Sequence, residues 1–526
     1  MHETNPSSAS TPIPATSQTD WFRPVLTLTL AVLTARILYL LLLNPYELAG
    51  DEAQYWDWSR RLDWSYYSKG PGIAWLIAAS TAIFGHDAWA VRLPAAVSAA
   101  VTMLAAAAIA ARLSTKPRAA ALTAAVIAAL VPILFATAQF ITIDAPFFAA
   151  WAVTAALAVE ILRSPRPNPT LWLLLGITFG LGVLLKYTML LIAPGLLLGF
   201  IFAARARPTT ALRLTGPILA AAAALIMMAP IAIWNQQNGW PTLAHLLGHL
   251  NAPGGDLQPA ESWTYNPLWT LEAIAVQILV IAPGLSLIAW FACRRLPPRS
   301  DPNRDAHLLL IHTAWPVYAF YLLVSLAKNI EANWPAAGWI TLIPLAAVLI
   351  TQTPTPAIRF GDRVILVVGL IAGPHILFGP YLIQTQGVDR LPFGPALQRG
   401  LNRVQGMQAK ALTVHEIALQ ITAETGTEPW FLTNHYGQTA LLAYYLPDQP
   451  TVFSASSALG DRESSYDYFI DTSLHRPDLI GKPAVMIGTK PRGWQRGLQF
   501  EHIEIRSETP LICVGYGYQG VKEKTP

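Results

Sequence analysis

Eleven apolar stretches, each long enough to cross a bilayer, leave this chain little alternative to a polytopic membrane bundle. They fall at about 24–43, 90–112, 118–137, 146–163, 170–186, 188–204, 214–234, 268–292, 307–326, 335–352 and 363–384. A hydrocarbon core about 30 Å thick needs roughly 17–25 such residues per helix. Backbone polar groups have no water to bond there, so the segments must be helical. Composition agrees: 13% of residues are charged, against about 25% in soluble chains. The run 73–85 is too short to cross and predicts an interfacial or re-entrant helix. The pair at 170–204 meets at Lys186–Tyr187–Thr188. Residues 1–22 begin with a Ser/Thr/Pro-rich stretch without a basic n-region, which predicts a disordered cytoplasmic tail before a retained first helix.

Loop charges orient the bundle. With the N-terminus inside, the inner loops carry Arg112, Lys116, Arg118, Arg163, Arg166, Arg205, Arg207, Arg213, Arg294, Arg295, Arg299, Arg304, Arg359 and Arg363. The outer loops carry Arg60, Arg61, Lys69, Lys186 and Lys328. Fourteen against five follows the positive-inside tendency. The expectation is a multi-pass plasma (inner) membrane protein with a cytoplasmic N-terminus, and an odd span count sends the C-terminal segment outside. The net charge of +4 gives no reason to expect a nucleic-acid partner. Cys293 and Cys513 fall on opposite sides in this topology, so no disulfide is expected.

The segment 385–526 reads differently. Helix-like "ALQRGLNRVQGMQAKALTVHEIALQITAET" is followed by strand-like "PWFLTN", "PAVMIG", "FEHIEI" and "PLICVGYG". At about 140 residues it is long enough for its own core, and it predicts a small soluble α/β domain after a membrane domain spanning 23–384.

Chemistry gathers on the outer side. The first outer loop, 44–89, carries Asp51, Glu52 and Lys69 among closely spaced Tyr and Trp; Thr142 and Asp144 mark the second, Lys186–Tyr187 the third. "WNQQNGWPTLAHLLGHL" and "AKNIEANWPA" form the fourth and fifth. Ionisable residues at membrane depth are costly and mark candidate sites. Each also has a structural use. Carboxylates favour helix N-termini, Asp caps helices, aromatics form interfacial belts and lysines snorkel. His245 and His249 have metal-ligand spacing without a clear third ligand.

A carboxylate pair after the first span, then "YYSKGPG", "GHDAWAVRLPAA", "ITIDAPFFAAWA", "GLGVLLKYTMLLIAPG", "WNQQNGWPT" and "KNIEANWPAAGW" in order, resembles the bacterial family-39/family-83 membrane glycosyltransferases. These enzymes are similar to protein O-mannosyltransferases and the lipid A aminoarabinose transferase. The likeness covers about residues 25–350 and extends more weakly to "HYGQTALLAYYLP".

The resemblance implies an all-α GT-C membrane bundle of about eleven helices, with its site at the outer face. It implies a polyprenyl-phosphate-linked sugar donor, inversion at the anomeric carbon, and a lipid, glycan or protein acceptor, with membrane lipid as surroundings. Carried over by position, Asp51 becomes the general base, Glu52 its supporting group and Lys69 a phosphate contact. Lys186 and Lys328 are the further phosphate candidates. Tyr55, Tyr66, Tyr67, Asp144, Tyr187, Asn235, Glu331 and Asn333 are candidate substrate contacts. Relatives often carry an acidic residue where Ser68 stands, associated in one with a metal, and proline where Gly70 stands. No metal or other cofactor is therefore expected. Competing classes are a polyprenyl-linked glycan ligase or polymerase, whose long central outer loop is missing here, and a flippase or transporter. The latter predicts repeats and broken mid-membrane helices, whereas the polar groups here sit at outer helix ends.

Overall fold

The computed structural model describes residues 20–206, 214–250, 252–256, 265–385, 400 and 402–522. Most of the expected N-terminal tail, residues 1–19, and the junction at 386–399 lie outside the described residues.

The chain opens with α1 (Phe22–Leu42), followed by two shorter helices, α2 (Gly50–Ser59) and α3 (Gly72–Phe84). The bundle continues through α4 (Ala88–Leu113), α5 (Pro117–Leu130), α6 (Pro132–Thr137), α7 (Asp144–Arg163), α8 (Pro169–Leu185) and α9 (Ile192–Ala206). Next come α10 (Thr215–Gln237), the short outer α11 (Pro241–His249), α12 (Pro267–Ile281) and α13 (Pro283–Arg294). It closes with α14 (Arg304–Val324), α15 (Ala337–Gln352) and α16 (Pro356–Thr385).

Among the described residues eight helices are long and apolar enough to span, or nine if the pair α12–α13, bent by 100°, counts as one. The expected eleven is not reached by this measure, and the reasons lie in particular residues. Pro132 starts a new helix after Val131 and splits the candidate at 118–137. Helix α8 has only 17 residues, because Lys186 leaves it in an extended conformation before the chain restarts. The expected short helix at 73–85 is present as α3.

Apolar attraction between helices is weak in lipid, so close backbone approach through small residues becomes the organising force. Alanines fill the α4–α5 seam, with Ala107, Ala110, Ala120, Ala121, Ala124 and Ala125 inaccessible to solvent. On α8, Gly176 and Gly180 face α10 so closely that a Cβ on Gly176 would sit 2.2 Å from the Ala220 carbonyl oxygen. The loops expected inside meet at one end of the bundle. Arg112 pairs with Glu160 at 2.9 Å and Lys116 donates to the Thr351 carbonyl.

The C-terminal part contains a five-stranded sheet in the order β2-β1-β3-β5-β4. Strand β1 (Trp430–Thr433) lies parallel to β2 (Val452–Ser454) and β3 (Ala484–Ile487), while β4 (Leu498–Glu508) and β5 (Leu511–Val521) form an antiparallel hairpin. All four residues of β1 are buried, as a strand covered on both faces requires. The four strand-like segments read from the sequence become β1, β3, β4 and β5. The three-residue β2 was not expected. Helices α17 (Met407–Thr425) and α18 (Tyr436–Tyr445) flank the sheet.

This domain shares a core with α2 and α3. One buried cluster joins Leu48, Trp56, Ile73 and Val91 to Val414, Leu442, Val485 and Ile512. A polar lock reinforces it. Buried Asp57 accepts hydrogen bonds from Arg61 (2.7 Å) and Tyr466 (2.7 Å), while Arg61 Nε reaches Asp471 at 2.7 Å. Helix α2 is thus held from above by the sheet domain.

Candidate active site

The adjacent carboxylates at the start of α2 have opposite fates. Glu52 is buried and saturated. Its Oε1 accepts from Arg92 Nε (2.8 Å) and the Ile141 N–H (2.8 Å), and its Oε2 from Arg92 Nη2 (2.7 Å) and the Ala49 N–H (2.9 Å). It serves the helix N-terminus as the structural reading of a carboxylate pair foresees. Asp51 accepts no hydrogen bond from any described residue. Its side chain is open to solvent, yet densely walled by protein. Burial raises its pKa; Lys69 and His435 oppose the shift, and Glu52 and Asp144 add to it. A carboxylate that is reachable, unpartnered and of raised pKa suits a general base.

Lys69 approaches Asp51 because of the glycine after it. A Cβ on Gly70 would lie 2.3 Å from the Leu184 carbonyl oxygen, so only glycine lets this loop rest on the end of α8. Two residues beyond that contact stands Lys186. Both lysines line a cavity of about 340 Å³. Its polar lining includes Lys69, Lys186, His245 and His249; Leu190, Leu191, Leu246, Leu250, Phe320 and Val324 make the rest largely apolar. The Lys69 amine donates no hydrogen bond to any described residue. Burial first, then Lys186, lowers its pKa.

Lys186 is tied down. Its Nζ donates to Asp144 Oδ1 at 2.6 Å, and Asn333 donates to Asp144 Oδ2 at 2.7 Å. Buried Asp144 thus joins the second, third and fifth outer loops. On the far wall, Asp256 Oδ2 accepts from Tyr67 (2.6 Å) and Arg462 (2.6 Å) and contacts His245 Nδ1 (3.0 Å). Burial opposes it, but these hydrogen bonds hold Asp256 below the usual carboxylate range. His245 and His249 meet through their Nε2 atoms at 3.1 Å. Burial, then Lys69, lowers their pKa values to about 3 and about 4. Both are neutral at physiological pH, so the cavity's positive charge comes from the lysines. Among the described residues no three His, Cys, Asp or Glu side chains group as metal ligands.

The other expected contacts divide. Tyr55 follows Asp51 by one helical turn and feels the charges of Asp51 and Asp144. Tyr187 lines the cavity. Tyr66 is internal structure, stacked on Trp58 at 4.4 Å with its hydroxyl on the Trp58 and Arg61 carbonyls. Asn235 spends its amide on the Ile231 carbonyl and the Thr242 N–H, joining α10 to α11. Lys328 donates to the His249 carbonyl at 3.1 Å, behind the cavity wall. Glu331 is exposed. Sequence reasoning did not single out Arg92, Asp256, Arg462, His435 or Tyr436 as site residues. A larger open cleft of about 690 Å³ runs beside Arg61 and Asp471. Its arginines are already paired, Arg61 with Asp57 and Asp471 and Arg476 with Asp478.

Comparison with known proteins converges on one enzyme class. Residues 68–234 match the family described as dolichyl-phosphate-mannose-protein mannosyltransferase. The chain is 28% identical over 426 residues to the lipid A galacturonosyltransferase RgtD of Rhizobium johnstonii, covering 79% of this chain and 81% of that one. It shares its fold with ArnT from Cupriavidus metallidurans. The ArnT structure bound to undecaprenyl phosphate superposes with a TM-score of 0.59 at 16% identity, covering 94% of this chain and 98% of ArnT. Apo ArnT gives 0.60 at 15% identity over the same shares. The chain is similar to GT-C glycosyltransferases, and these matches support a glycosyltransferase acting in the membrane.

Proposed function

We propose that this protein is an inverting glycosyltransferase that moves a sugar from a polyprenyl-phosphate carrier to an acceptor hydroxyl at the outer face of the membrane. The observation that carries the reading is the mixed lining of the cavity. Two lysines share it with branched aliphatic and aromatic side chains, while an unpartnered carboxylate acts on Lys69 from nearby. An isoprenoid phosphate has the matching halves, an anionic head and a long apolar tail.

In the step we propose, the acceptor O–H gives its proton to Asp51 as its oxygen bonds to the anomeric carbon. The anomeric C–O bond to phosphate breaks, and its electron pair leaves with the polyprenyl phosphate. Lys69 neutralises the charge growing on that leaving group, and such preorganised cations favour the transition state. Lys186, fixed by Asp144, offers a second amine to the same cavity. Tyr187 lines the same cavity, and Tyr55, Tyr67 and Asn333 are the further substrate contacts of this reading.

The direct test supplies undecaprenyl-phosphate-linked sugar to purified protein and measures release of undecaprenyl phosphate with sugar appearing on the acceptor. Scrambling of the intact donor without release would instead identify a flippase.

Lys69→Met is expected to weaken donor binding about ten- to a hundredfold, since a hydrogen bond to a charged group contributes about 1.5–3 kcal/mol. Lys186→Met should do similar harm and also strand Asp144. Donor-dependent thermal stabilisation reads both, and wild-type shifts would reduce these lysines to interfacial anchors.

The proposed orientation makes its own prediction. Reporters fused after Lys116 or Arg299 should register the cytoplasm, and one fused at the C-terminus the outside. A cytoplasmic C-terminus would remove the site from the face we assign to it.

A further inference from the structure

Polar groups around Asp51 fall into two sets. Glu52, Asp57, Asp144 and Lys186 are satisfied by neighbouring protein groups, and Asp256 is held through its Oδ2. Asp51, the Lys69 amine and the Tyr55 and Tyr436 hydroxyls make no hydrogen bond with any described residue, and neither does Nε2 of His435. His435 and Tyr436 come from the sheet domain, nearly four hundred positions along the chain from Asp51.

Backbone contact puts them there. The N-terminus of α18 meets that of α2 so closely that a Cβ on Gly50 would lie 3.6 Å from the Gly437 Cα. His435 caps α18, its Nδ1 accepting the Gly437 N–H at 3.1 Å. With Nδ1 used as an acceptor, the ring N–H is the one on Nε2. The His435 ring stacks on Tyr436 with centroids 4.3 Å apart, and His435 is exposed. Both residues act electrostatically on Asp51 or are acted on by it. Neither lines the lysine cavity. Asp51 therefore has Lys69 on its cavity side and the His435–Tyr436 pair on its sheet-domain side.

Inversion requires the incoming hydroxyl to attack from the face opposite the departing phosphate, with the base on the acceptor's side. With the phosphate at Lys69, that face is the one the sheet domain covers. We propose that His435 and Tyr436 are acceptor-positioning residues, which hold a polyhydroxylated sugar acceptor so that one hydroxyl meets Asp51. The Nε2–H and the phenol offer hydrogen bonds, and the flat ring pair offers an apolar surface to a sugar face. The C-terminal domain thereby becomes half of the active site rather than an appendage. The inference rests on the glycosyltransferase reading.

The test uses the full-length protein with lipid A as probe acceptor, and separates a capping role from an acceptor role. His435→Asn keeps a side-chain oxygen that caps α18, since Asn is a strong N-cap, but removes the ring and Nε2–H. Tyr436→Phe keeps the ring and removes only the hydroxyl. Each is expected to raise the lipid A Kd, and the acceptor KM in transfer, about tenfold or more. The stabilisation produced by undecaprenyl phosphate should stay at the wild-type value. His435→Ala should lose no more affinity than His435→Asn once folded protein is matched. Unchanged lipid A affinity in both Asn and Phe variants overturns the inference while leaving the transferase reading intact. If wild-type protein releases no undecaprenyl phosphate from the sugar-linked donor, the reading falls. Lipid A binding that still depends on Tyr436 would then support the acceptor surface by itself.

Discussion

Asp51→Asn is expected to lower sugar transfer by about 10²–10⁴-fold, the usual worth of a positioned base, while leaving the fold and donor-induced stabilisation in place. The substitution keeps size and polarity, and no described residue depends on Asp51 as a hydrogen-bond acceptor. The pH dependence adds a second signature. Burial raises the Asp51 pKa; Lys69 and His435 oppose this, and Glu52 and Asp144 reinforce it. Transfer by the wild type should therefore rise with pH through a value above the ordinary 3.8, and the Asn variant should lose that limb. For stability the sign is reversed. A carboxyl whose pKa is higher folded than unfolded binds its proton more tightly in the native state, so ionising it as pH rises through that window costs stability. The Asn variant should thus melt at or above the wild-type temperature at neutral pH. An Asn variant with wild-type transfer would end the assignment. Asp144 is a poor substitute, since both its oxygens are already bonded to Lys186 and Asn333.

Much of this was legible before any coordinates, and the legible part has a common physical origin. Apolar runs must become helices in lipid, and charges at their ends must cluster where water and substrate are. Asp51 and Lys69 from one interhelical loop meet Asp144, Lys186 and Asn333 from three others in one region. The count of eleven spans is not reached where single residues intervene, at Pro132, at Lys186 and at the Ala282–Pro283 bend, because apolarity does not record a break in a helix. Tyr66 and Tyr67 are neighbours with opposite fates, one stacked inside on Trp58 and one bonded to Asp256. Alternation along a loop cannot say which. The contributions of Arg462, His435 and Tyr436 depend on how a sheet domain docks on α2. That docking is set by Gly50–Gly437 contact and the Asp57 lock, and neither leaves a local pattern.

The largest stability effect is expected not at Asp51 but one residue on. Glu52 and Arg92 form an ion pair with side-chain exposures of 1% and 0%. Burying two charges is expensive, and a pair of this kind gains little over an apolar replacement of both. Removing one partner is another matter, because the survivor is left buried and uncompensated, at a cost of about 3–5 kcal/mol. Arg92 also donates to the carbonyls of Tyr46 (3.1 Å) and Glu47 (2.8 Å), and Glu52 accepts from Ile141. The pair therefore ties the segment that leads into α2 to α4 and to the turn before Asp144. Arg92→Met should lower the thermal midpoint in detergent steeply and reduce the folded yield in membranes. Glu52→Gln, which keeps the acceptor oxygen but strands the guanidinium charge, should do nearly as much. The combined Glu52→Gln/Arg92→Met protein should be more stable than the sum of the single losses predicts, because no lone charge remains. This pattern separates a structural carboxylate from a catalytic one. Loss of activity in Glu52→Gln should track loss of folded protein, whereas Asp51→Asn should be folded and inactive. A Glu52→Gln enzyme with the wild-type melting temperature and no transfer would reverse the roles assigned to the two carboxylates.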